Sequence, residues 1–266
     1  GSLYVDNLRS AKCCDTYIFK GLGEETWAPS FTYRGFRYAE ISGLDYVPSD
    51  NEFLGMVIHD EMDVTGTFTT SDRVINQVYR NAFWGIRGNY RGMPTDCPQR
   101  DERLPWLGDR TTGAYGESFL FGNHLLYAKW LDDIESVQKR SGGIPAIAPN
   151  YWDVFPDDVT WPAAYLTTAD MLYRQYGDSW PIIKHYPSMK RWYEHISHDY
   201  MEDWIVTRDE FGDWCMPPES PEMIHSQDPS CIQPEILRLR KGMLCQQYRD
   251  IEPSSAAFRD GSGRIH

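Results

Sequence analysis

No apolar run in this chain is long enough to cross a bilayer, and Gly1-Ser2-Leu3-Tyr4 lacks the charged and apolar regions of a signal peptide. These absences predict a soluble chain. Six cysteines are present (Cys13, Cys14, Cys97, Cys215, Cys231 and Cys245), yet none are spaced C-x-x-C, and the adjacent Cys13 and Cys14 suit ordinary disulfide geometry badly. Free thiols are predicted. The seven histidines include no H-x-x-x-H, and the i,i+3 pair His195 and His198 reads as a surface helix end, so no metal and no other cofactor is predicted. Basic residues are also scarce: 26 Lys and Arg stand against 39 Asp and Glu, for a net charge of −13. That balance excludes a nucleic acid partner and suits a neutral substrate. At 266 residues the chain makes one large domain or two smaller ones and buries a core without a covalent staple.

Aromatics are plentiful, with 10 Trp and 17 Tyr. Their rings cover the C–H faces of sugars, but they also fill helical cores, and number alone does not separate the two uses. The segment from Pro94 to Asp109 is more specific. It holds Asp96, Asp101, Glu102 and Asp109 with Arg100, Arg103 and Trp106, interrupted by Pro98 and Pro105. Asp96, Glu102 and Asp109 are too far apart for one row of a helix, so an irregular loop must gather them if they act together. Carboxylates held by arginines beside an aromatic face are what hydrolysis of a sugar acetal requires. A salt-bridge network joining two helices is the plainer alternative.

Residues 15 to 70 read as short strands: Tyr17-Ile18-Phe19, Phe31-Thr32-Tyr33, Phe36 to Ile41 and Met56 to His59, too few to close a sandwich. At Ser71-Asp72 the period changes. Ser71 is placed to cap a helix running toward Asn89, with Val74, Val78 and Ala82 on one stripe. Further helices are predicted near 111–121, over 126–140 with Leu126, Trp130 and Ile134 on one face, and from Trp161-Pro162 to Tyr176 before Gly177. The last begins near Pro181, with Ile182, Tyr186, Met189, Tyr193 and Ile196 as its stripe and Pro187 as a kink or an early-turn residue. Helical hairpins joined by long polar loops fit an α/α toroid or a plain helical array. Two of those loops, Tyr151 to Trp161 and Glu210 to Cys215, again pair acids with tryptophan, as a sugar pocket would.

The run Asp96-Cys97-Pro98-Gln99-Arg100-Asp101-Glu102-Arg103, with Trp106 and Gly108-Asp109, resembles the signature of the bacterial α-L-rhamnosidases of glycoside hydrolase family 78. The resemblance continues through Phe31-Thr32-Tyr33-Arg34-Gly35-Phe36-Arg37-Tyr38, Lys129-Trp130-Leu131, Trp161-Pro162, Tyr176-Gly177-Asp178 and Gly212-Asp213-Trp214, and spans roughly residues 15 to 229. It implies a mainly α fold, part of an (α/α)6 barrel preceded by strands of a β-sandwich domain. Residues 1–70 would end the sandwich region and link it, 71–229 would begin the catalytic barrel, and 230–266 would be a divergent tail. It further implies hydrolysis of terminal α-L-rhamnosides with inversion, Glu102 as general acid, and substrate binding by Asp96, Arg100, Trp106, Asp109, Trp161 and Trp214. The partner is then a carbohydrate; the oligomeric state stays open, as does a periplasmic, secreted or cytoplasmic location in a bacterium.

An acid that holds its proton near neutrality is favoured by neighbouring carboxylates and an apolar ring and disfavoured by close arginines. Arg100 and Arg103 are therefore expected on Asp96, Asp101 or Asp109 rather than on Glu102. Pro105 stands where the family has glycine. From Ser230 on the likeness stops, as in a shifted reading frame, a truncated gene or a genuinely divergent end. In the family the water-activating base, about 6.5–9.5 Å from the acid, lies beyond this point; Glu210, Asp213 and Glu219 are the substitutes within the chain. A rhamnose-binding or pseudo-enzyme module, and another (α/α)6 hydrolase of trehalase or glucoamylase type, are the competing readings.

Overall fold

The computed structural model describes residues 2–151, 157–209 and 211. The chain forms two units, one of Gly1–Glu61 with Phe68–Leu104, the other of Met62–Thr67 with Pro105–His266. Sequence readings that fall on Trp152 to Pro156, on Trp214 and on the tail from Ser230 lie outside the described residues.

In the first unit, α1 spans Arg73–Gly88. Asp72 caps it, and not Ser71: its carboxylate accepts from the Val74 and Ile75 amides at 2.7 and 3.2 Å, satisfying two of the donors that a helix start leaves open. The stripe of Val74 and Val78 faces solvent, and no residue of α1 is buried. The strands expected between residues 15 and 70 do not form. The regular structure of this stretch is a short 3-10 turn at Asp50–Glu52, boxed by Ser49, beside local contacts such as Tyr17 on Trp27 at 5.3 Å. Alternating residues alone do not make a sheet, because a strand needs a neighbour for its backbone groups, and among the described residues of this stretch only Val64 finds one, in an isolated bridge to Phe121.

The second unit carries the core. Helices α2 (Leu107–Ser118), α3 (His124–Ser136), α4 (Ala164–Tyr176) and α5 (Trp180–Asp199) follow one another. α4 packs on α2, α3 and α5, and α3 on α5, which gives two helical layers with α4 central. The residues of α4 fit that place: Ala164 through Ala169, Met171 and Leu172 are all buried, and Gly177 ends it in the left-handed conformation at φ 68°. α5 runs unbroken past Pro187 and buries Pro181, His185, Ser188, Met189, Trp192 and Ile196. Ile182, Tyr186 and Tyr193 are only half-buried, so the buried face is rotated from the expected stripe. A hairpin of β1 (Met201–Glu202) and β2 (Ile205–Val206) follows, turning through Asp203 and Trp204 at φ 48° and 66°, the paired left-handed geometry of a tight hairpin. The fold is thus mainly α, and no helix among the described residues is long and apolar enough to cross a membrane.

Candidate active site

Two prolines and a left-handed residue shape the loop of residues 94–104 in the first unit. Its ends are tied by a reciprocal pair: Leu104 N donates to Asp96 Oδ1 at 2.7 Å, and Asp96 N donates to the Leu104 carbonyl at 3.0 Å. Asp96, with a side chain 2 % exposed, also takes Arg100 Nη2 at 3.0 Å on its second oxygen. Its carboxylate is therefore oriented from two sides. Arg100 Nε lies 2.8 Å from Glu102 Oε2, so this one guanidinium links Asp96 and Glu102. Burial works against the Arg100 charge, but Cys97, Glu102 and Asp96 outweigh it and hold its pKa above the usual value.

The expectation that arginines would avoid Glu102 is overturned. Besides Arg100, Arg9 reaches Glu102 Oε2 at 2.8 Å, and the Glu102 side chain is 20 % exposed. Ser10 next to it donates from its amide, at 3.3 Å, and from its hydroxyl to Asp101, which holds that carboxyl below the usual range. The physical reason is reach: the Arg100 guanidinium spans Asp96 and Glu102 at once, and a segment ahead of the loop supplies Arg9, a cation that spacing within the loop cannot reveal. Cys97, Cys13 and Cys14 are free thiols, and burial, then the neighbouring Asp96, pushes the Cys97 thiol up to about 11.

In the second unit, the chain enters α2 through an extended Pro105-Trp106 step. Leu107 N donates to Ala146 O at 2.9 Å and Ala148 N to Pro105 O at 3.2 Å, which sets Trp106 at the helix start. Asp109 stands exposed in the first turn of α2, where the helix dipole favours a carboxylate. A Cβ at Gly108 would fall 2.3 Å from Trp161 Cδ2, so only glycine admits that indole over the turn. Phe211 joins them, its ring 5.7 Å from that of Trp106 and 4.7 Å from that of Trp161. The structure thus brings Asp96, Arg100 and Glu102 together in the first unit, and in the second joins Trp106 and Trp161 through Phe211. Phe211 was not singled out from sequence, although it sits in the Glu210 to Cys215 loop; Trp214 and the substitute bases Glu210, Asp213 and Glu219 lie outside the described residues.

The acids of the loop before α4 act as braces. Asp158 Oδ2 accepts from Trp161 N at 3.2 Å, and Asp209 takes the Thr160 amide at 3.4 Å and the Thr160 hydroxyl. His195, expected at the surface, is 8 % exposed and contacts Asp157 on one ring nitrogen and Asp199, at 2.7 Å, on the other; His198 is exposed. Among the described residues no three His, Cys, Asp or Glu side chains are grouped to hold a metal ion.

Residues 63–232 match the family model of the bacterial alpha-L-rhamnosidase 6 hairpin glycosidase domain, and residues 1–59 that of the bacterial alpha-L-rhamnosidase concanavalin-like domain. An alpha-L-rhamnosidase of Streptomyces avermitilis is 36 % identical over 214 residues, covering 80 % of this chain and 21 % of that protein. One from Formosa agariphila is 35 % identical, covering 82 % and 24 %. The solved alpha-L-rhamnosidase from Dictyoglumus thermophilum superposes with a TM-score of 0.79 at 34 % identity, covering 92 % of this chain and 28 % of its own. That of Streptomyces avermitilis complexed with L-rhamnose does so at 0.79 and 30 %, covering 100 % and 26 %. The chain therefore spans about a fifth to a quarter of the length of the curated relatives it matches. With matches over most of its length and the loop from Asp96 to Asp109 in place, the chain belongs to the bacterial α-L-rhamnosidases of glycoside hydrolase family 78.

Proposed function

We propose that this chain carries the proton-donating part of an inverting α-L-rhamnosidase site. Glu102 delivers the proton to the leaving glycosidic oxygen, Asp96, Arg100 and Asp109 bind rhamnose hydroxyls, and Trp106, Trp161 and Trp214 supply aromatic faces for the sugar and its apolar methyl. Residues 1–70 then close a sandwich region and link it, 71–229 open the catalytic barrel, and 230–266 form a divergent tail. The observation that carries the reading is the Asp96–Arg100–Glu102 network, closed by the Asp96–Leu104 pair, in the stretch that leads directly into Trp106 and Asp109. A solved relative complexed with L-rhamnose supports the substrate class.

A proton donor cannot keep two guanidiniums on its carboxylate while it acts. Arg9, whose side chain is 58 % exposed, is the one placed to leave. The same pairing favours a second reading, rhamnose binding without turnover. Aryl α-L-rhamnosides of graded leaving ability separate the two, with Glu102→Gln alongside. General acid catalysis contributes typically about 10²–10⁴-fold, so the variant should lose that much on poor leaving groups and little on a dinitrophenyl group that departs unaided. Equal rates for variant and parent on every leaving group remove Glu102 from the role, and L-rhamnose binding by a folded chain that turns over none of them establishes the second reading.

A further inference from the structure

The motif from Phe31 to Tyr38 has no task in the hydrolytic reading, yet it packs on the loop of residues 94–104 within the first unit. The two segments meet at Gly35, where a Cβ would fall 2.9 Å from Pro98 Cγ and 3.1 Å from Gln99 Cβ. Two residues earlier the Tyr33 ring has Arg91 Cζ 4.4 Å and Arg103 Cζ 5.4 Å from its centroid, and the Tyr33 carbonyl accepts from Arg103 Nη1 at 3.2 Å. Arg103 itself holds φ at 51°, a left-handed conformation that a side chain other than glycine adopts only at a cost. Arg103 stands between Glu102, which meets Arg100 and Arg9, and Leu104, which returns to Asp96. Strain of this kind persists where surroundings over-determine it, and here the contacts that hold the Arg103 side chain come from Tyr33.

We infer that Tyr33 and Arg103 are positioning residues: the Tyr33 ring and carbonyl clamp the Arg103 guanidinium and so fix the left-handed backbone conformation that aims the neighbouring Glu102 carboxyl. The inference rests on Glu102 as the proton donor and deepens that reading. Arg91 also contacts the ring, so two cations are held on one aromatic, and Gly35 gives the segment the close approach it needs.

Two groups flanking Glu102 report the loop without substrate. Cys97 is 4 % exposed, and the Leu104 amide is tied to Asp96. Alkylation of Cys97, followed peptide by peptide with iodoacetamide, and hydrogen exchange at Leu104 should both speed up about tenfold in Tyr33→Leu, the factor that losing two half-exposed cation–π contacts gives, and about threefold in Arg103→Gly, which loses one of them. Tyr33→Phe keeps the ring and loses only the hydroxyl's hydrogen bond with Thr95, so its loop rates should fall between those of the parent and Tyr33→Leu. On aryl α-L-rhamnosides, Tyr33→Leu and Arg103→Gly should lose kcat on poor leaving groups with KM unchanged, and Tyr33→Phe should restore it. Loop rates at the parent level in Tyr33→Leu overturn the clamp. So does Arg103→Gly behaving as the parent, since glycine keeps the left-handed conformation but has no guanidinium. Faster loop rates with an equal kcat loss on all leaving groups make the clamp structural and overturn the aiming of Glu102. If the parent turns over no aryl rhamnoside, the hydrolytic reading and the aiming of a proton donor both fail, while the two loop rates still decide the clamp.

Discussion

Arg110 and Glu117 pair inside α2 with side chains 9 % and 4 % exposed, and the Tyr127 hydroxyl of α3 donates to the second Glu117 oxygen. Removing one partner of a buried ion pair leaves the other charge uncompensated and costs about 3–5 kcal/mol. Glu117→Ala should therefore lower the unfolding free energy by that amount, read as a fall in the urea midpoint at an unchanged m-value; a loss under about 1 kcal/mol, the range of exposed pairs, would mean that water reaches Arg110. This triad shows what single residues kept from the sequence reading. The density of acids and arginines between Asp96 and Asp109 was legible in the sequence, and the tie of Asp96 and Glu102 through Arg100 falls within it. Their partners were not. Arg9 comes to Glu102 from 93 positions earlier, and Phe211 joins Trp106 and Trp161 from a third loop. Spacing within a motif carries no information about what folds back onto it.

At the scale of elements, the helices were legible because the 3.6-residue period survives whatever packs on it, whereas the burial of a face depends on neighbours. Thus α5 was placed within a residue or two, but its stripe was misread: His185 and Trp192 are buried where Tyr186 and Tyr193 were expected. The strands failed for the same reason, since their stability resides in the ladder rather than in the segment. The C-terminal turn of α5 illustrates a local electrostatic tie. Asp199 accepts from His198 Nδ1 at 2.6 Å, and His195 Nδ1 lies 2.7 Å away; hydrogen bonding from His198, then the charge of His195, lowers the Asp199 pKa below its ordinary 3.8. A carboxyl depressed by folding contributes stability that is complete above the unfolded value and is lost as pH falls through the folded one. Asp199→Asn should therefore lower the Tm measured at pH 5 to 6, and the gap to the parent should close as pH drops below 3.8. A gap that stays constant on acidification would show that Asp199 acts by packing alone.

For the whole molecule, charge and apolar surface oppose each other. The net charge of −13 keeps copies apart. Against it, α1 presents Val74, Val78 and Trp84 at 70 %, 60 % and 54 % exposure, with Ile75 beside them, and contributes no buried residue. A helix whose apolar stripe stays in water is a site of association, while repulsion between charges is screened over about 10 Å at 0.1 M salt. The balance should therefore shift with ionic strength. Sedimentation velocity should show monomer at low salt and larger, concentration-dependent species as sodium chloride is added, with sulfate more effective because it strengthens apolar burial. Replacing Val74 and Val78 with glutamine removes the apolar stripe without changing charge, and should hold the chain monomeric at salt concentrations where the parent associates. A parent chain that stays monodisperse at every salt concentration, or a double variant that associates as readily as the parent, would show that α1 is not the sticking face.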